Sequence, residues 1–64
     1  MDDNLERLRE AYQKALEQYE DVAATLNRHI LAQTEPSSSE KSVERAARAQ
    51  LELARRLYLG ALIP

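Results

Sequence analysis

Leu5, Tyr12, Tyr19 and Leu26 recur every seven residues, and Leu8, Ala15, Val22 and His29 follow three positions behind them. Leu16, Ala23 and Ile30 flank the same line. Apolar positions so spaced fall on one broad stripe of an α-helix, with charged and amide side chains on the other side. The spacing predicts a helix over about 3–34, beginning at Asp2 or Asp3, whose carboxylates suit the positive end of the helix dipole. Pro36 is expected to stop it, because proline disfavours helical backbone in the residue before it. A loop over 35–38 then leads into a second helix over about 38–59. Ser37 followed by Glu40 is a capping-box pair at the start of that helix. Gly60, the only glycine, sits where a left-handed residue would end it, which leaves an apolar tail over 60–64.

The second helix places Val43, Ala46, Ala47, Gln50, Leu53, Ala54, Leu57 and Ala61 on one side, with Leu51 and Tyr58 at its margin. Arg45, Arg48, Glu52, Arg55 and Arg56 lie opposite. The apolar sector covers roughly 160°, wider than one facing helix can hide. Folding back from the loop sets Val43 near Leu26 and Ile30, Ala54 near Tyr19, and Leu57 and Tyr58 near Ala15 and Tyr12. Small residues thereby meet large ones, as a packed interface needs. Leu5 and Leu8 are expected to overhang the end of the second helix, covered either by Leu62 and Ile63 or by another subunit.

Composition narrows how such a chain can be stable. At 64 residues it forms one domain, and a domain this small leans on disulfides, metal or association. There is no cysteine, no tryptophan and no phenylalanine, so thiol chemistry is excluded and three tyrosines carry the aromatic packing. Abundant alanine and leucine, with 31% charged residues, read as all-α. The expected fold is an antiparallel helical hairpin that dimerises into a four-helix bundle, or pairs with another small helical protein. In size and layout this resembles the small hairpin-dimer regulators of plasmid copy number, and equally the hairpin co-chaperones of type III secretion needle subunits. The likeness is one of length and hairpin, with no shared residue motif.

Charge and candidate chemistry change this picture little. Residues 1–34 carry seven acids against four bases, whereas 37–64 carry five bases against three acids. Opposite signs on the two helices favour antiparallel pairing weakly. No run approaches a membrane span, and the acidic start is unlike a secretory leader, so a cytoplasmic location is expected. His29 has no second ligand one turn away, which argues against a metal site and leaves a helix-flank residue bonded to a carbonyl. Glu17, Glu20 and Asp21 fall on the outer face, outside any cleft that could make them acid–base groups. Ser37, Ser38 and Ser39 read as cap and joint.

No nucleophile elbow, Gly-rich phosphate loop or dinucleotide fingerprint is present, so no enzyme, cofactor or metal is expected. The expected interface consists of Leu5, Leu8, Tyr12, Tyr19, Leu26, Leu51, Leu57, Tyr58, Leu62 and Ile63. It suits a non-enzymatic interaction module, such as a dimeric adaptor, co-chaperone or regulatory subunit. The alternative is an anion-binding module using Arg45, Arg48, Arg55 and Arg56 on nucleic acid or an anionic membrane. Nucleic acid is the weaker expectation, since Glu44 and Glu52 stand one turn from Arg48 and Arg56 and no aromatic is interleaved.

Overall fold

The computed structural model describes residues 3–63, which form two helices packed against each other. Helix α1 spans Asp3–Ala32 and helix α2 spans Ser38–Leu62. They run antiparallel: His29 meets Glu40 beside the loop, and Tyr12 meets Tyr58 at the far end. The hairpin measures 48 × 16 × 14 Å, the length of α1 at about 1.5 Å per residue. The expected start at Asp2 lies outside the described residues.

Helix α1 ends at Ala32, earlier than the sequence pattern implies, and Pro36 is not what ends it. Gln33 adopts a left-handed conformation with φ 57°. Its N–H donates to the Ile30 carbonyl at 3.2 Å, and the Thr34 N–H donates to the His29 carbonyl at 2.9 Å. These two bonds satisfy carbonyls left open at a helix end, in the Schellman arrangement. Proline constrains only the residue before it, so the stop four positions upstream needed its own cause. A glutamine at a left-handed position strains the chain by about 1–2 kcal/mol. Gln33→Gly should therefore raise stability by about 0.5–1 kcal/mol after the added freedom of the unfolded chain is subtracted. Urea titration checks this; an unchanged or lower midpoint would contradict the left-handed cap.

The start of α2 is as the sequence implies. Ser37 Oγ accepts from the Glu40 N–H at 3.1 Å, and Glu40 Oε1 accepts from the Ser37 N–H at 2.9 Å. Its end is not. Gly60 stays helical, α2 continues to Leu62, and the Ile63 N–H donates to the Leu59 carbonyl at 3.2 Å. Glycine permits a left-handed turn without imposing one. The longer α2 removes the expected overhang. Tyr58 shares a shallow hollow with Leu5, Glu6 and Arg9, and both Leu5 and Leu8 are half-buried against α2. Leu62 and Ile63 do not fold over them; both remain exposed.

Two cylinders touch along a line, and burial is correspondingly thin. Among the described residues only Ala15, 7% exposed, is buried. The rest of the α1 track, Leu5, Leu8, Tyr12, Tyr19, Val22, Leu26 and His29, is half-buried as its spacing requires.

Candidate interaction surface

The side of α2 that meets α1 is set by spacing of three and four residues: Glu40, Glu44, Ala47, Leu51, Ala54 and Tyr58 are half-buried. This corrects the expected facing side, which is turned by roughly 75° at about 100° per residue. Leu51 and Tyr58 face inward, whereas Val43, Leu53 and Leu57 stay 52%, 54% and 51% exposed. Tyr19 is bonded to Glu44 rather than set opposite Ala54, positions about 15 Å apart along α2. Two features favour the observed rotation. The Tyr12 and Tyr58 rings pair at 6.0 Å between centroids, tilted by 31°, within the range of attractive aromatic pairs. The polar ends of His29 and Tyr19 each find a carboxylate.

At the loop, His29 Nε2 lies 2.9 Å from Glu40 Oε2, and Nδ1 lies 2.9 Å from Thr34 Oγ1. A carboxylate only accepts, so Nε2 donates. Nδ1 then accepts from the Thr34 hydroxyl when the ring is neutral and donates to it when the ring is charged. The expected carbonyl partner is thus a hydroxyl and a carboxylate instead. Glu40 joins α1, the loop and the capping box in one network. The Ser37 N–H, then His29, hold its carboxyl below the ordinary glutamate value.

Midway along the hairpin, the Tyr19 hydroxyl donates to Glu44 Oε2 at 3.1 Å, and Arg48 stands 3.5 Å from Glu44 Oε1. Sequence reasoning left Glu44 on the solvated face as half of a surface ion pair. The available signal was that Glu40 and Glu44 continue the Ala47, Leu51, Ala54 and Tyr58 spacing, opposite the two α1 positions bearing polar tips. The Glu44 hydrogen bond, with partial burial and the Glu44 charge behind it, raises the Tyr19 pKa above the ordinary tyrosine value. A raised folded value means that the neutral phenol is the favoured form. Stability from it is present below the unfolded value of about 10 and is lost as pH rises through the folded one. Phenolate absorbance should therefore contain a component appearing above pH ~10 that is absent from Tyr19→Phe and lower in Glu44→Gln. Curves of the same shape in all three proteins would contradict the bond.

What α1 does not cover is a second track on α2. Val43, Ala46, Gln50, Leu53, Leu57 and Gly60 follow each other at alternating spacings of three and four, beside the inner seam. On its α1 side, Gln18, Asp21 and Val22 line a groove with Val43, Ala46, Ala47 and Gln50. The opposite hairpin edge carries Leu16 and Ile30 from α1, with Ile30 71% exposed.

The expected interface residues therefore divide. Leu5, Leu8, Tyr12, Tyr19, Leu26, Leu51 and Tyr58 belong to the contact between the two helices, whereas Leu57, Leu62 and Ile63 are open. Arg45, Arg48, Arg55 and Arg56 are all exposed, but they do not converge freely. Arg48 is paired with Glu44, and Arg55 and Arg56 border a hollow that also contains Glu52 and Leu59. Among the described residues, no three His, Asp or Glu side chains gather where they could hold a metal ion.

The chain's accessible surface is 5336 Å², whereas folded monomers of 7.3 kDa expose about 4,200 Å². The excess of roughly 1,200 Å² is that of an elongated hairpin, 48 × 16 × 14 Å, and is spread over both helices. No family model, curated protein or solved structure matches this chain. No described helix is long and apolar enough to cross a membrane.

Proposed function

We propose that this chain is a non-enzymatic protein–protein interaction module that associates through the outer apolar track of α2, first of all with another copy of itself. The observation that carries the reading is the half-exposed row of Val43, Leu53 and Leu57 along the side of α2 that α1 leaves uncovered. Isolated exposed leucines are ordinary, but a continuous row along one helix is the usual sign of a binding face. Association would also supply the stability that one line of helix contact leaves short. A four-helix bundle of two hairpins is the architecture in which this happens, with an adaptor, co-chaperone or regulatory role built upon it.

The arginine face is the competing reading. Salt separates the two, since ionic binding weakens steeply with salt while apolar association does not. Light-scattering mass at micromolar concentration should be twice that of the chain in both low and high salt. A single-chain mass under both conditions would overturn the reading. Binding to anionic vesicles or RNA that vanishes at high salt, by a single-chain species, would put the arginine face in its place.

A further inference from the structure

We infer that Tyr12 and Tyr58 form an oxidative cross-linking site, at which a one-electron oxidant joins the two rings by a carbon–carbon bond and ties α1 covalently to α2. This is independent of the interaction reading above, since both rings belong to the contact within one hairpin. Their centroids lie 6.0 Å apart with the planes tilted by 31°, within the span of touching aromatic pairs. Both side chains are half-buried, so part of each ring remains open to a reagent in water. Tyr19, the third tyrosine, faces a carboxylate instead, donating to Glu44 at 3.1 Å. With no cysteine and no tryptophan in the chain, tyrosine is the side chain that gives up an electron most readily, because its radical is shared between oxygen and ring.

The step balances with one external reagent. Each phenol loses an electron and its hydroxyl proton, leaving a radical spread over the oxygen and the ring carbons beside the hydroxyl position. The two radicals couple through those carbons. Each coupled carbon then passes its hydrogen to its own oxygen, which restores both phenols. Hydrogen peroxide, acting through a haem peroxidase, takes up the two electrons and two protons and leaves as two waters. Because the rings already touch, coupling occurs within one chain, at an effective concentration far above micromolar. The new bond closes the hairpin at the end opposite its loop. It joins positions far apart in sequence, and so removes much of the freedom of the unfolded chain, as a disulfide over that span does. A small domain without cysteine has no disulfide to supply that constraint.

The test treats the full chain with a haem peroxidase and hydrogen peroxide at neutral pH and low micromolar protein concentration. The expected product is a single chain lacking two hydrogen atoms and carrying the blue fluorescence of a biphenol. Trypsin, cutting after Arg9, Lys14 and Arg56, should release residues 10–14 joined to residues 57–64. Tyr12→Phe and Tyr58→Phe keep a ring at each position, and circular dichroism checks that their helices are retained. Each should lower the fluorescence of single chains roughly tenfold or more, whereas Tyr19→Phe should leave it intact. The yield per chain should hold over about a tenfold dilution, as a reaction within one molecule requires. The linked chain should melt on the order of 10 °C above the untreated one. Linkage mainly between chains, or through Tyr19, would overturn the inference. So would an unlinked wild-type chain under conditions that couple free tyrosine.

Discussion

Leu53→Glu is expected to dissociate the protein while leaving each helix able to form. Leu53 is 54% exposed on the isolated hairpin, so about half of its side chain remains to be buried by a partner. That half contributes about 1 kcal/mol, and two-fold symmetry counts it twice. Two carboxylates placed at the centre of an apolar interface add a desolvation cost of about 2 kcal/mol or more each, even after relaxation and water entry. The sum, at least about 5 kcal/mol per dimer, corresponds to a Kd raised more than ~1,000-fold. Glutamate is itself a good helix former, so propensity does not confound the result. Leu31→Lys is the control. Leu31 is more exposed, at 84%, but lies on α1 away from the outer track, and a base there suits the helix C-terminus. Analytical ultracentrifugation should show the first variant as single chains and the second unchanged. Equal dissociation of both would mean that general surface hydrophobicity, rather than the α2 track, drives association.

Tyr58→Ala is expected to be the most damaging single truncation within the hairpin. Tyr58 is half-buried, and its ring lies 6.0 Å from that of Tyr12. Loss of half-buried aromatic area costs about 1.5–2 kcal/mol, and the ring pair adds about 0.5–1 kcal/mol. A chain of 64 residues is stable by roughly 3–10 kcal/mol in all, so the variant loses a large share of its stability. Tyr58→Phe retains the ring and should stay within about 0.5 kcal/mol of wild type. Thermal unfolding followed by circular dichroism separates them. Similar melting of wild type and Tyr58→Ala would show that the far end of the hairpin is frayed rather than closed by the tyrosine pair.

Most of the hairpin was legible in the residue pattern. The α1 track packs as its heptads imply, and the Ser37–Glu40 capping box stands where the sequence places it. Three features were not legible, each for a local reason. Gln33 gives no sign of a left-handed stop, because the signal for one is glycine or asparagine and glutamine is neither. Gly60 gives that sign and does not use it, since a glycine in open space can remain helical. The face of α2 was ambiguous because Leu51 and Tyr58 on one track and Val43, Leu53 and Leu57 on the next offer comparable apolar surface. The choice between them was made by tertiary partners: Tyr12 for Tyr58, His29 for Glu40 and Tyr19 for Glu44. None of these partners is visible in the periodicity of α2 alone.

That same ambiguity motivates the interaction surface. A helix with one apolar track needs one neighbour, and α2 has two tracks, of which α1 covers one. If a second copy covers the other, folding and association are linked, and the melting temperature depends on protein concentration. The most direct measurement is therefore thermal unfolding of wild type and Leu53→Glu across a hundredfold range of concentration. The expected result is a melting temperature that climbs with concentration in wild type and stays flat in Leu53→Glu. A wild-type melting temperature independent of concentration, with cooperative unfolding of a single-chain species, would contradict it.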